Sequence, residues 1–196
     1  RGGIGLKRRL KVGFFGLEKW EISYLRKKKE LKKFETSFYE QELTEDNAAL
    51  ARGLDAAAVF IYSRINRHVL AKCRGIGHVA AMSTGFDHIE IEECRKRKIT
   101  VSNVPVYGDN TVAEHTFALI LSLSRKIHKA YQRTLVGEFS LEGLMGFDLK
   151  GKTIGVIGTG HIGRHVGRIA RGFEMSILLY DRYPSKELEL EMGARY

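Results

Sequence analysis

At 196 residues, 43% of them hydrophobic and 29% charged, the chain can bury one good core or two small ones, and no apolar run approaches the length of a membrane span. Two cysteines without metal-ligand spacing, Cys73 and Cys94, exclude a disulfide scaffold and point to a reducing, cytoplasmic setting with no metal. The net charge of +10 includes basic runs at Lys7–Lys11, Arg26–Lys33 and Arg95–Lys98; these lie before strands or on exposed helix sides, without the aromatic interleaving of a stacking platform, so neither a nucleic-acid nor a membrane partner is expected.

In chain order, strands are predicted at Leu10–Phe15, Phe34–Phe38, Ala57–Tyr62, His78–Met82 and Ile99–Asn103. Helices are predicted between them at Glu18–Lys29, Asp46–Arg52, Arg67–Cys73 and Ile89–Lys98. Five strands alternating with four helices imply a parallel sheet covered on both faces, an α/β domain of flavodoxin type. A T-x-x-E capping box, Thr111–Glu114, then opens a long helix with apolar Phe117, Ile120, Leu121, Leu123 and Ile127, continuing toward Tyr131. It is long enough to bridge two domains. The glycine-richer stretch Gly137–Gly151 connects it to a second strand–helix–strand unit. A last helix, Ser185–Gly193, is capped by Ser185 and stopped by Gly193, and Ala194–Tyr196 begins a further strand. The expected boundaries are 1–108 for the first domain and 109–196 for the bridging helix and the first part of a Rossmann domain.

That second unit carries the strongest motif. Thr153–Ile157 reads as a strand, Gly158, Gly160 and Gly163 make a G-x-G-x-x-G turn, Ile162, Val166, Ile169 and Ala170 follow at helical spacing, and a second strand, Ser176–Tyr180, ends at Asp181. This is a dinucleotide-binding fingerprint in its structural context. Gly158 permits the tight turn, Gly160 lets a pyrophosphate reach the backbone, and Gly163 lets the helix pack close to the sheet. Free N–H groups near His161 and Ile162 would face the phosphates, helped by the helix dipole. Asp181 would accept both ribose hydroxyls of an adenosine and repel a 2′-phosphate, which favours NAD over NADP; Arg182 beside it weakens that exclusion.

Three stretches carry a resemblance. Met82–Glu90 (MSTGFDHIE), Asn103–Leu121 (NVPVYGDNTVAEHTFALIL) and Gly146–Gly163 (GFDLKGKTIGVIGTGHIG) resemble, in the family's order, the substrate loop, the hinge with its interdomain helix, and the cofactor entry of the D-isomer-specific 2-hydroxyacid dehydrogenases. That group includes D-lactate dehydrogenases, glyoxylate and hydroxypyruvate reductases, and phosphoglycerate dehydrogenases. The resemblance implies that residues 1–108 are the substrate domain. It also implies that backbone N–H groups around Thr84 and Gly85 hold the substrate carboxylate, and that Tyr107 lines the substrate cleft. The family's usual valine is Thr84 here, which a backbone contact tolerates.

The resemblance further implies an NAD-dependent, D-lactate dehydrogenase-like interconversion of a D-2-hydroxy acid and a 2-oxo acid, and a homodimer when full length, with Phe117, Leu121 and their neighbours supplying apolar area. Reduction of a 2-oxo acid needs a cation to polarise the carbonyl and an acid to protonate the alkoxide. The family supplies an arginine and a glutamate-held histidine in a later part of its chain. No catalytic residue is therefore assigned among these 196; His88, His115 and His161 match no such role. The chain reads as a C-terminally truncated member, itself inactive. Glyoxylate or hydroxypyruvate reductase, phosphoglycerate dehydrogenase and a non-catalytic NAD-sensing corepressor-like protein remain open.

Overall fold

The computed structural model describes residues 8–196; Lys7, at the head of the first basic run, lies outside them. The chain divides into two compact units, the first ending at Tyr107 and the second spanning Gly108–Tyr196. No helix among the described residues is long and apolar enough to cross a membrane.

In the first unit, strands β1 (Lys11–Phe15), β2 (Glu35–Tyr39), β3 (Ala56–Val59), β4 (His78–Ala81) and β5 (Thr100–Ser102) form one parallel sheet in the order β2-β1-β3-β4-β5. This is the flavodoxin-like order that the alternating pattern implies. Helices α1 (Lys19–Arg26), α2 (Arg67–Lys72) and α3 (Ile91–Lys96) connect the strands. Strand β3 is made of small residues, and Ala57, Ala58 and Val59 are all buried, as a strand covered on both sheet faces must be. Phe15, Leu43, Ile65, Val69 and Val79 fill the core.

Three expected elements come out shorter, each for a local reason. The first helix ends at Arg26 because the Lys27 and Lys28 N–H groups donate only three residues back, to Tyr24 and Leu25; a 3₁₀ turn, Lys29–Lys33, follows. The segment expected as a helix over Asp46–Arg52 is a 3₁₀ turn at Ala48–Ala51. There the Asn47 side chain accepts the Thr44 N–H and donates to the Glu42 carbonyl, which ties the chain into a loop. Strand β3 stops at Val59, since the Phe60 carbonyl accepts the Ser63 N–H in a turn.

The second unit comprises α4 (Asp109–Ser124), α5 (Ile127–Leu135), β6 (Thr153–Ile157), α6 (His161–Gly172), β7 (Ser176–Tyr180) and α7 (Lys186–Met192). β6 and β7 pair in parallel, with Ile154 opposite Ile177 and Val156 opposite Leu179. Val156, Ile177 and Leu179 pack into one core with Phe117, Val166, Ala170, Leu188 and Met192. Ser185 caps α7 by accepting the Leu188 N–H at 3.4 Å, and Gly193 ends it at a φ of +62°. The expected further strand begins on β7, where the Arg195 N–H donates to the Ile177 carbonyl at 3.1 Å.

The expected start and length of the bridging helix are corrected. α4 begins at Asp109, with Gly108 as its N-cap, so Thr111 lies inside the first turn and is not a cap. Glu114 accepts the Asn110 side chain at 3.2 Å and closes no capping box. The helix also breaks at Lys126, which adopts a left-handed φ of +53°. A later loop causes the break: the Phe147 N–H donates to the Ser124 carbonyl at 3.0 Å, and the Arg125 guanidinium pairs with Asp148 at 2.8 Å. The Ser124 carbonyl is thus engaged from outside the helix. Gly146 is required beside it, because a Cβ there would strike that carbonyl oxygen.

Candidate functional site

The glycine turn of the second unit is built as its spacing predicts. Gly158 leaves β6 at a φ of +93°, a left-handed conformation that favours glycine, and its N–H donates to the Tyr180 carbonyl at 2.8 Å. A Cβ on Gly163 would collide with the Gly158 carbonyl oxygen, so α6 sits against the turn only because that residue has no side chain. A Cβ on Gly160 would meet nothing within 4 Å, so its surface is open to a ligand. α6 begins at His161 with no side-chain cap, and its first recorded backbone bond is Arg164 N–H to Gly160 at 3.0 Å. The N–H groups of His161, Ile162 and Gly163 therefore lack acceptors among the described residues, at the positive end of a twelve-residue helix. His161 lies 3.8 Å from Asp109.

Asp181 joins this turn through a residue that the motif treats as a spacer. Its Oδ2 accepts both the Thr159 N–H, at 2.6 Å, and the Thr159 hydroxyl, at 2.8 Å; its Oδ1 accepts the Tyr183 N–H at 2.9 Å. These donors, the Thr159 amide foremost, hold the Asp181 carboxyl below the usual carboxylate range. Thr159 thus fills both lone pairs of Oδ2 and Tyr183 one of Oδ1, and the Arg182 backbone N–H adds to the pull on the carboxylate. The Arg182 guanidinium lies over the Tyr183 ring, 5.6 Å from its centroid. Thr159 is buried, and its hydroxyl also meets the Tyr196 hydroxyl at 3.0 Å. A hydroxyl between two glycines, opposite an acid that ends the next strand, was the sequence signal for this contact.

A second candidate lies in the first unit, at the carboxyl end of β4, where ligands bind in parallel sheets. The loop after Ala81 is held through its carbonyls. The Ser83 carbonyl accepts the Val104 N–H at 3.1 Å, that of Thr84 accepts the Asn103 side chain at 2.8 Å, and that of Gly85 accepts the Ser83 hydroxyl at 2.7 Å. The Thr84 and Gly85 N–H groups, in contrast, have no acceptor among the described residues, and both residues are exposed. Capture of the carbonyls and freedom of the amides suit the loop to an anion. Tyr107 is exposed on the bend after β5 and holds no partner in the loop.

Beside the loop lies a cleft of about 610 Å³ lined by Tyr62, Arg64, Asn66, Asp87, His88 and Glu90 among others. The His88 Nε2 is buried without a hydrogen-bond partner, and burial lowers the imidazole pKa against the opposing pull of Asp87. Neither Arg64 nor the His88 nitrogen stands out in the sequence, since the cleft joins two segments more than twenty residues apart. Among the described residues no group of three His, Cys, Asp or Glu side chains could hold a metal ion.

The comparisons with known proteins bear on both places. Residues 15–190 match the family model described as "D-isomer specific 2-hydroxyacid dehydrogenase, catalytic domain". D-lactate dehydrogenase of Escherichia coli is 38% identical over 189 residues, covering 95% of this chain and 57% of that protein. Its apo structure superposes with a TM-score of 0.84. Glyoxylate reductase of Pyrococcus furiosus is 34% identical, covering 83% of this chain and 52% of that one. The structure of Aquifex aeolicus D-lactate dehydrogenase complexed with NAD and lactic acid is 29% identical, with a TM-score of 0.81, covering 94% of this chain and 55% of that one. The chain thus spans somewhat more than half the length of the relatives it matches.

Proposed function

The chain belongs to the D-isomer-specific 2-hydroxyacid dehydrogenase family, and from that premise we propose that it is part of an NAD-dependent oxidoreductase interconverting D-lactate, or a close D-2-hydroxy acid, with its 2-oxo acid. The carrying observation is the turn at Gly158–Gly163 with Asp181 tied to it. In it, three free N–H groups stand at a helix start, a glycine seat admits no side chain, and an ionised carboxylate ends the next strand.

These residues fit a dinucleotide. The His161, Ile162 and Gly163 amides would hold the pyrophosphate, and Asp181, with Oδ1 the less occupied oxygen, the adenosine ribose hydroxyls. When bound, NAD supplies the hydride acceptor, and NADH the donor. Asp181 would oppose a 2′-phosphate by charge, which favours NAD over NADP. In the first unit, the Thr84 and Gly85 amides would hold the substrate carboxylate, and Tyr107 would border the side chain at C3. Because Gly85 donates from its backbone, the Thr84 side chain leaves this grip unchanged.

Two further readings complete the proposal. Cys73 and Cys94 are buried, unbridged thiols whose pKa values burial raises, and the proposed location is cytoplasmic. For self-association, the apolar area expected at Phe117 and Leu121 is corrected. Phe117 is buried against Phe173 and Leu121 packs on the same core. The exposed apolar positions are Leu119, Leu123, Ile127, Tyr131 and Leu135, and a homodimer would use these.

The test is reduction of pyruvate, glyoxylate and hydroxypyruvate by the intact protein with NADH and with NADPH. The expected result is turnover fastest with pyruvate and NADH. Preference for glyoxylate would move the assignment to the glyoxylate reductases, and equal use of NADPH would overturn the role of Asp181.

A further inference from the structure

Thr159 is one of four buried polar residues in the described chain, the others being Ser63, Ser83 and Ser124. It stands at the variable position of the glycine turn, which the fingerprint leaves open. We propose that Thr159 is a positioning residue for cofactor choice: its amide and hydroxyl together clamp Oδ2 of Asp181, so that the carboxylate presents Oδ1 in one fixed direction to the ribose.

The geometry supports a clamp rather than incidental packing. Both donors of Thr159 reach the same oxygen, at 2.6 and 2.8 Å, while the Tyr183 N–H holds the other at 2.9 Å. The two amides hold one oxygen each, and the Thr159 hydroxyl takes the second lone pair of Oδ2, so that Oδ1 is the oxygen turned outward. The Thr159 hydroxyl has one proton. If it donates to the ionised Asp181, it receives from the Tyr196 hydroxyl at 3.0 Å, and the order Tyr196 to Thr159 to Asp181 follows from the acceptor-only nature of the carboxylate. Arg164 completes the seat, donating from Nε to the Thr159 carbonyl at 3.2 Å. The residue is thus held through its carbonyl while its two donors face the acid. A charge-assisted bond of this kind is about twice as strong as a neutral one, so it holds the carboxylate in its orientation.

This inference rests on the reading of Asp181 given above, so the experiment separates the two. Binding of NADH and NADPH to the intact protein is measured by calorimetry for the parent, Asp181→Ala, Thr159→Val and Thr159→Ser. Thr159→Val keeps shape and amide but removes the hydroxyl donor. It should weaken NADH binding by roughly threefold, less than the loss of a charge-assisted hydrogen bond to the ligand itself, and leave NADPH within about twofold. Thr159→Ser should restore most of the parent's preference. The carboxyl carbon shift of Asp181, followed by NMR against pH, should move its titration upward in Thr159→Val and not in Thr159→Ser. If Asp181→Ala leaves the preference intact, the reading of Asp181 falls. If Asp181→Ala abolishes it and Thr159→Val does not change it, or weakens both cofactors equally, the positioning role of Thr159 is overturned while the reading of Asp181 stands.

Discussion

The two parallel sheets of this chain are covered differently. In the first unit the central strand β3 is buried on both faces, and the unit's core includes Phe15, Val59 and Val79. In the second, β6 and β7 bury Val156, Ile177 and Leu179 on one face and expose Ile157, Leu178 and Tyr180 on the other, at 86, 50 and 70%. Parallel strands ordinarily have both faces covered. The difference teaches how local the glycine turn is: the Gly158 N–H to Tyr180 carbonyl bond and the Thr159–Asp181 contacts all lie within one strand–helix–strand unit.

The largest expected effect sharpens that contrast. Phe15 is fully buried and stacked on Tyr39 at 4.6 Å, so Phe15→Ala should destabilise the first unit by about 3–5 kcal/mol. Ile157→Thr and Leu178→Ser, on the open face, should change stability by less than about 0.5 kcal/mol. Hydrogen exchange at β1 to β5 reports the first unit, and at β6 and β7 the other. A large loss from Ile157→Thr would show that the open face is covered in solution.

Next in size is the effect on substrate. A Cβ at Gly85 would meet only Asp87 Oδ2, at 3.8 Å, so Gly85→Val should fold normally while shielding the amides. The expected outcome in the intact protein is a KM for the 2-oxo acid raised about tenfold, roughly one charge-assisted hydrogen bond, with NADH affinity in the second unit unchanged. Unaltered substrate kinetics with an unaltered Tm would remove the loop from the binding site.

A smaller effect separates the two units by pH. The lowered pKa of His88 means that the unfolded chain binds its proton first. The stability from keeping the ring neutral is whole above the ordinary value of 6.5 and declines as pH falls through the lower folded value. Asp181 is also lowered, from 3.8, so the stability from its hydrogen bonds is whole above that value and is lost only at more acid pH. Acid titration should therefore weaken the first unit before this contribution to the second is touched. His88→Leu should abolish the earlier step in hydrogen exchange at β1 to β5; its persistence would assign that step to another group.

Much of this organisation was legible in local chemistry. The five-strand alternation, the Gly158 and Gly163 seats and the Ser185 cap each depend on residues close in sequence. The break at Lys126 was not, because it is imposed by the Phe147 N–H from a loop twenty residues onward. The phase of α4 was misread for a related reason: Phe117 and Leu123 are both apolar, and only the position of Phe173 decides which one is buried. Thr159 escaped notice because a spacing motif counts glycines and is silent on what stands between them.

The smallest effect on stability is expected at the exposed apolar positions. Leu123→Glu or Tyr131→Glu should alter Tm little, since both side chains are more than 60% exposed, yet shift the intact protein toward monomer in sedimentation. Retention of the dimer would place its contact elsewhere.

The joint at Lys126 has a consequence for the shape of that surface. Leu119, Leu123, Ile127, Tyr131 and Leu135 recur at every fourth residue. On one unbroken α-helix each such step advances the side chain by about 40°, and four steps would wind it through about 160°, nearly half the circumference of the rod. Such a ridge spirals away from any flat object laid against it. A single left-handed residue divides it into two short plates, Leu119 with Leu123 and Ile127 with Tyr131 and Leu135, the longer of which turns through only about 80°. One peptide N–H, donated from Phe147, thereby converts a screw thread into a pair of facets.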